Sequence, residues 1–370
     1  MVNKMWTLFK KIFTGGKEQY VIPPLDGALL PNNTIDRFKV IHDDFKNIDD
    51  LVLDLKGNLY LSSDHFVYRL HGKGFSEKQI YVDLKGTAGG LNIDKNGNLM
   101  ICVAGQGVVV VNKGKVIRDL NMADSQPINC PTAVVSGPDG ELFIADGTAY
   151  HESERWYVDL MEKRSAGRLI RFNNNGTKSE VLLTSLSYPG GLTISNDKKY
   201  IIMTEGWKHR VSRYPILDVR PQTREVLLDN LPGYPGRIVT ASDGGYWMSF
   251  FAMRTHLVEF VLQEKKYRLK MMKIIDPAYW IRPALSSGED FLEPLQAGHA
   301  KTLGIMKPWA PPRSYGLIVK LNNDYEIIKS YHCRVDGKRH GITGLCDDAG
   351  ILFAVSKGNS LVLRAGREEL

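Results

Sequence analysis

One short pattern recurs along the chain and decides what it can fold into: alternating apolar residues, a turn rich in Asp, Asn or Gly, then a second β-rich run. It stands at Leu51–Ser62, Leu91–Val103, Ala133–Ala145, Leu192–Thr204, Ile238–Phe250 and Gly344–Val355. Period-2 alternation buries one face of a strand, and tips such as Asn-Gly, Asp-Gly and Asp-Lys tolerate positive φ, so each copy predicts a β-hairpin. Third strands are expected at Phe66–Leu70, Val108–Val111, Arg168–Phe172, Arg210–Tyr214, Tyr315–Leu321 and Leu361–Arg364, which makes units of four short strands. Turn glycines Gly57, Gly97 and Gly140 lie 40 and 43 residues apart, the spacing of propeller blades around a central channel. The expected fold is all-β, one six-bladed β-propeller over residues 21–370 with short helical insertions. Two β-sandwiches would need a linker near the middle, and no Pro/Gly/Ser-rich tract stands there.

Two places exceed the blade period. Residues 150–165 (YHESERWYVDLMEKRS) suit one short helix carrying Trp156, Tyr157 and Leu160, and a larger insertion at about 252–314 ends in a Pro-rich run at Lys307–Arg313. Such insertions on a rigid scaffold form lids and binding loops, or merely decorate the surface.

The formal charge of +7 on 370 residues is informative once located. Residues 1–20 carry Lys4, Lys10, Lys11 and Lys17 against Glu18, and residues 254–282 carry seven basic against three acidic side chains, which together account for the whole excess. The remaining chain is neutral, so no nucleic-acid partner is expected, since that needs basic residues along an extended groove. On a helix over residues 4–17, Met5, Trp6, Leu8, Phe9, Ile12 and Phe13 fall in an arc of roughly 160° with the lysines outside it, the shape of a helix lying in a membrane interface. Packing of both segments on the propeller is the competing reading. Cys102, Cys130, Cys333 and Cys346 lie far apart without CxxC spacing, which suggests neither a disulfide framework nor a zinc cluster and fits a reducing compartment. With no long apolar run and an N-terminus interrupted by Lys10 and Lys11, the expectation is a cytoplasmic protein with peripheral contact to an anionic membrane surface at most.

Several segments carry a family resemblance. Ile22–Asn32 (IPPLDGALLPN), Tyr188–Tyr214 (YPGGLTISNDKKYIIMTEGWKHRVSRY), Leu231–Ser249 (LPGYPGRIVTASDGGYWMS) and Arg313–Leu321 (RSYGLIVKL) resemble the strictosidine synthase-like family, part of a six-bladed propeller superfamily shared with gluconolactonases and paraoxonases. The resemblance implies the fold firmly and the reaction loosely, because one propeller hosts several chemistries. In the hydrolytic branch a calcium ion is held at the channel mouth by acidic and Asn side chains. The corresponding positions here are Asp49 or Asp50, Thr132, Gly190 and the pair Gly236-Arg237. Calcium takes six to eight oxygen ligands, whereas glycine offers no side-chain oxygen and a guanidinium repels the ion. The condensing glutamate that the family name implies is replaced by Thr343, whose hydroxyl cannot take over a carboxylate's proton transfer unaided.

The catalytic candidates are therefore Asp49, Asp50, Glu205, Arg237, Thr343 and His340, with Thr132, Gly190, Trp156, Tyr157 and Trp207 as substrate-binding candidates. Arg237 either anchors an anion or oxyanion in the channel or pairs with Asp49 or Asp50 across it. Glu205 is a general base if burial raises its pKa, or a structural acceptor between blades. His340 is a proton shuttle or a solvated loop residue, while His65 and His209 suit packing or turn roles. The chain has no GxSxG, HExxH, GxxxxGK[ST] or helix-opening GxGxxG, which disfavours α/β serine hydrolases, zinc proteases and nucleotide enzymes. No metal and no cofactor are expected. The leading expectation is a metal-independent hydrolase of small organic esters or lactones. A condensing or lyase-type enzyme of specialised metabolism and a non-catalytic ligand-binding or membrane-associated propeller are the alternatives.

Overall fold

The computed structural model describes residues 21–277, 280–287 and 314–370. The basic N-terminal segment, with the amphipathic helix expected over residues 4–17, and the whole Pro-rich run Lys307–Arg313 lie outside them. Six four-stranded antiparallel sheets follow one another. Blade one begins at Ile48–Leu53, blade two at Ala88–Ile93, blade three at Pro131–Ser136, blade four at Pro189–Ile194, blade five at Gly233–Thr240 and blade six at Ile342–Asp348. All six repeats match the expected hairpins, and Gly57, Gly97 and Gly140 sit at their tips with φ of +78°, +76° and +84°. At two of these tips an aspartate organises the turn: Asp54 Oδ1 accepts the Lys56 and Asn58 N–H groups, and Asp94 Oδ1 those of Asn96 and Asn98.

Blade six differs. Its outer strand is Lys39–His42, paired antiparallel with Leu361–Ala365, so the start of the propeller clasps its end. The hairpin pattern does not show this strand, because it has no hairpin partner in sequence.

The second strand of blades one, two and three is buried throughout, since each blade packs on a neighbour through both faces. Six buried apolar clusters fill the spaces between adjacent blades. In one, Met100, Val108 and Val110 meet Val134, Ile144 and Ile170; in the closing one, Leu51, Leu59 and Leu61 meet Phe353, Val355 and Val362. A seventh cluster caps one end of the channel and joins helix α1 (Tyr157–Glu162) to α2 (His256–Gln263) and α3 (Lys265–Ile274) through Val158, Met161, Val258, Val261, Met271 and Trp280. Both insertions thus contribute helices to one cap, although α1 is only six residues long.

Candidate active site

The inner strands share a local irregularity that aims side chains into the channel. In every blade the register slips at the start of the inner strand: between Ile48 and Leu51, Ala88 and Leu91, Pro131 and Ala133, Pro189 and Gly191, Pro235 and Ile238, and Ile342 and Gly344. Such bulges re-aim side chains and recur beside functional sites. Asp49, Asp50, Thr132, Gly190, Arg237 and Thr343 all lie within these slips, on the inner strands of five blades around one shaft.

Arg237 fills the shaft. Its Nη1 donates to the carbonyls of Thr132 (2.6 Å) and Gly190 (3.3 Å), and its Nη2 donates to Asp49 Oδ2 at 3.4 Å. Nε lies 2.9 Å from Asp50 Oδ2, an ion pair whose N–H is not aimed well enough to count as a hydrogen bond. Four blades are thereby tied to one guanidinium. Glycine makes the crossing feasible: a Cβ on Gly90 would stand 3.0 Å from Nη1 and 2.5 Å from the Thr132 carbonyl. Of the two readings of Arg237, the cross-channel pair is the one seen, and it pairs with both aspartates.

The two aspartates face different ways. Asp49 opens on the cap side, where its Oδ1 accepts from Lys357 Nζ at 2.7 Å. Burial opposes its charge, but Lys357 and Arg237 together hold the carboxyl below the ordinary range. Asp50 is 1% exposed, turned to a second cavity of about 180 Å³ beyond Arg237, and accepts the Leu51 and Leu91 N–H groups. Burial raises its pKa to about 7 against the pull of Arg237 and of those N–H groups, and the neighbouring Asp49 charge adds to the rise.

The cap-side pocket has a volume of about 260 Å³, with Asp49, Arg237, Thr343 and Lys357 at its floor and Trp156, Tyr188 and Phe251 on its wall. Thr132 and Gly190 line it as expected. Leu285 of the large insertion also reaches it. The Thr343 hydroxyl donates to the Asp49 carbonyl at 2.6 Å and the Thr132 hydroxyl to the Ala145 and Pro189 carbonyls, so both threonines brace the backbone. These residues do not offer a calcium cage: at the positions compared with the hydrolytic branch, only the acid at Asp49 or Asp50 remains, beside the Thr132 hydroxyl, two glycines (Gly190 and Gly236) and the Arg237 guanidinium.

Four candidates stand outside this pocket. Glu205, 1% exposed, accepts from Arg210 Nε at 2.9 Å and from the Ser187 N–H. Asp146 occupies the same place in blade three, accepting from Arg168 and the Cys130 N–H, so the arrangement seen is a repeated clamp that holds each blade's incoming backbone to its second and third strands. His340 is buried, not solvated, between the Ser314 hydroxyl and the Arg334 carbonyl, each at 2.7 Å, and does not line the pocket. Trp207 stacks on Tyr188 at 4.5 Å and on Trp156 at 5.8 Å, behind the wall. Tyr157 packs edge-on against Trp280 and beneath Arg282. His209 is buried and bonded to the Gly233 carbonyl, and His65 is exposed beside Asp83.

Lys357, Tyr188 and Phe251 are the pocket residues that the sequence patterns passed over. Lys357 follows the second strand of blade six in a turn of its own, and no local motif distinguishes it from a surface lysine.

Among known families, the strictosidine synthase family model matches residues 133–219. The strictosidine synthase-like 3 protein of Arabidopsis thaliana is 27% identical over 195 residues, 51% of this chain and 50% of that protein. The adipocyte plasma membrane-associated protein of Bos taurus is 26% identical over 225 residues, 56% and 54% of the two chains. The chain thus spans about half the length of the curated relatives it matches. Among solved structures, a gluconolactonase from Xanthomonas campestris superposes with a TM-score of 0.59 over 93% of this chain and 94% of its own at 12% identity. Regucalcin from Agrobacterium tumefaciens, a calcium-binding protein, gives 0.56 over 89% and 93% at 12%. Likeness at that identity concerns the fold.

Proposed function

We propose that this six-bladed propeller, which resembles strictosidine synthase-like proteins, hydrolyses a small organic ester or lactone in the cap-side pocket without calcium in its channel. The observation that carries this reading is the Lys357–Asp49 pair, 2.7 Å apart, at the floor of a pocket walled by Trp156, Tyr188 and Phe251. Arg237 commits Nη1 and Nη2 to two carbonyls and Asp49 and serves as the scaffold beneath. Lys357, about a quarter exposed, supplies the positive charge for a developing oxyanion, where a pre-placed donor is most effective. Asp49, kept ionised by its two cations, holds the attacking water; the aromatic wall takes the apolar part of the substrate. Lys357→Met is expected to cut kcat/KM by about 100-fold or more, the cost of losing one oxyanion donor, while stability changes by about 1 kcal/mol or less because the pair is part-exposed. A panel of esters and lactones, run with and without chelator on both proteins, checks this. Wild-type inactivity across the panel, loss of turnover on chelation that Ca²⁺ restores, or an undiminished Lys357→Met variant would each sink the proposal.

A second reading concerns where the protein works. On α3, Lys265, Lys266, Lys270 and Lys273 are exposed beside Tyr267, Leu269 and Ile274, which are 48%, 46% and 64% exposed, and Phe260 of α2 adds a further 57%-exposed ring. Val258, Val261 and Leu262, by contrast, face the cap. A cationic face studded with apolar side chains suits the surface of an anionic bilayer. No helix among the described residues is long and apolar enough to cross a membrane. The protein is expected to float with phosphatidylserine vesicles at low salt and to lose that association when Lys266, Lys270 and Lys273 become Glu. Salt-independent recovery of both proteins in the soluble fraction would end this reading.

A further inference from the structure

Away from the channel, α1 and the loop before it bring together three side chains that the hydrolase reading does not use. His151 Nε2 lies 3.5 Å from Asp159 Oδ1 and 3.3 Å from Glu162 Oε2, and the ligand atoms of the trio all fall within 4.8 Å of one another. Asp159 and Glu162 are three residues apart on one helix face, and His151 reaches them from the preceding loop.

What sets the trio apart from a surface ion cluster is Asp159. It is 1% exposed, and neither carboxylate oxygen receives a well-formed hydrogen bond. The nearest support is a contact from Thr148, which lowers its pKa by less than burial raises it; the Thr148 hydroxyl oxygen itself accepts from the Tyr150 N–H. A buried carboxylate normally has its lone pairs occupied, by donors or by a metal ion. Tetrahedral ligands at 2.0–2.1 Å from zinc stand about 3.3–3.4 Å apart, close to both His151 separations; Asp159 and Glu162 lie within 4.8 Å of each other and would draw together on an ion. Arg164 Nη2, 3.1 Å from Glu162 Oε2 and held over the Tyr150 ring, orients the glutamate in the way that outer partners orient metal-binding carboxylates.

We propose that His151, Asp159 and Glu162 form a three-ligand site for a first-row divalent transition ion, tested here as Zn²⁺, with the fourth position left to water. Imidazole with two carboxylates suits such an ion and not calcium, which wants an all-oxygen shell of six or more. The site closes a 12-residue span from His151 to Glu162 that contains Glu154 and Trp156, both in the pocket wall. Its physical effect is to pin that wall and the first helix of the cap. The expectation of a metal-free chain rested on familiar motifs, and separations of eight and three residues match none of them.

The test uses the full chain, stripped with chelator and then dialysed against Zn²⁺ or Ca²⁺. Wild type is expected to retain about one Zn²⁺ per chain and no Ca²⁺, and at 100-fold excess over Kd to gain about 5 °C in Tm. His151→Ala, which removes a part-exposed ligand, should lose both effects while keeping the circular dichroism of the folded propeller. Loading with Co²⁺ should give the intense visible bands of a tetrahedral N/O site in wild type and not in His151→Ala or Glu162→Gln. Retention below about 0.1 Zn²⁺ per chain, or equal retention by wild type and His151→Ala, would overturn the proposal.

Discussion

Arg237→Met is expected to be among the most damaging single substitutions in this chain, although the new side chain is close in length. The guanidinium neutralises Asp49 and Asp50 and satisfies two carbonyls from different blades. Removing one member of a buried charged set leaves the others uncompensated, at about 3–5 kcal/mol. In a propeller of this size that corresponds to a Tm lower by roughly 6–10 °C, at about 2 °C per kcal/mol. Arg237→Lys should fall between, because an ammonium keeps the charge but lacks a planar fork that reaches two carbonyls and two carboxylates together. Adding Asp50→Asn to Arg237→Met should recover part of the loss at pH 8, where Asp50 must take up a proton once its cation is gone and the amide need not. Differential scanning calorimetry on the four proteins checks the series. An Arg237→Met protein within about 1 kcal/mol of wild type would show that the shaft tolerates two unpaired carboxylates and that the charge network is not structural.

The same network explains what the sequence revealed and what it hid. The blades were legible because each hairpin is written twice over, in the period-2 burial of its strands and in a tip that needs Asp, Asn or Gly. The clasp at Lys39–His42 was not, since its partner at Leu361–Ala365 lies more than 300 residues away and no local pattern carries that pairing. Within the site, positional correspondence with the family found Asp49, Thr132, Gly190, Arg237 and Thr343, because every inner strand repeats the same register slip at the same place. Lys357 escaped because its importance comes from a charge opposite it in blade one. Glu205 and His340 attracted attention as residue types suited to proton transfer. Yet type does not distinguish an acid that meets solvent from one that clamps the strands of its own blade, and only the matching Asp146–Arg168 pair in blade three shows the difference.

Stability should respond to pH in a way that exposes Asp50. Its folded pKa of about 7 lies above the unfolded value of about 3.9, so between pH 4 and 7 the native state holds a proton that the unfolded chain has released. Stability from this group is present at low pH and falls as pH rises through that window. His209 and His332 act oppositely. Burial depresses them to about 3 and about 4, so below about 6.5 the unfolded chain takes up protons that the native state refuses, and their contribution grows with pH. Asp49, held below its ordinary range, loses its contribution only under more acidic conditions. The wild-type profile therefore mixes opposing terms, and the informative quantity is its difference from Asp50→Asn, which removes one term alone. From pH 5 to pH 8 the variant should gain roughly 2–3 kcal/mol on wild type, read from urea midpoints at each pH. Parallel profiles for the two proteins would mean that Arg237 holds Asp50 ionised throughout, and that the Asp50 side of the shaft carries a permanent charge.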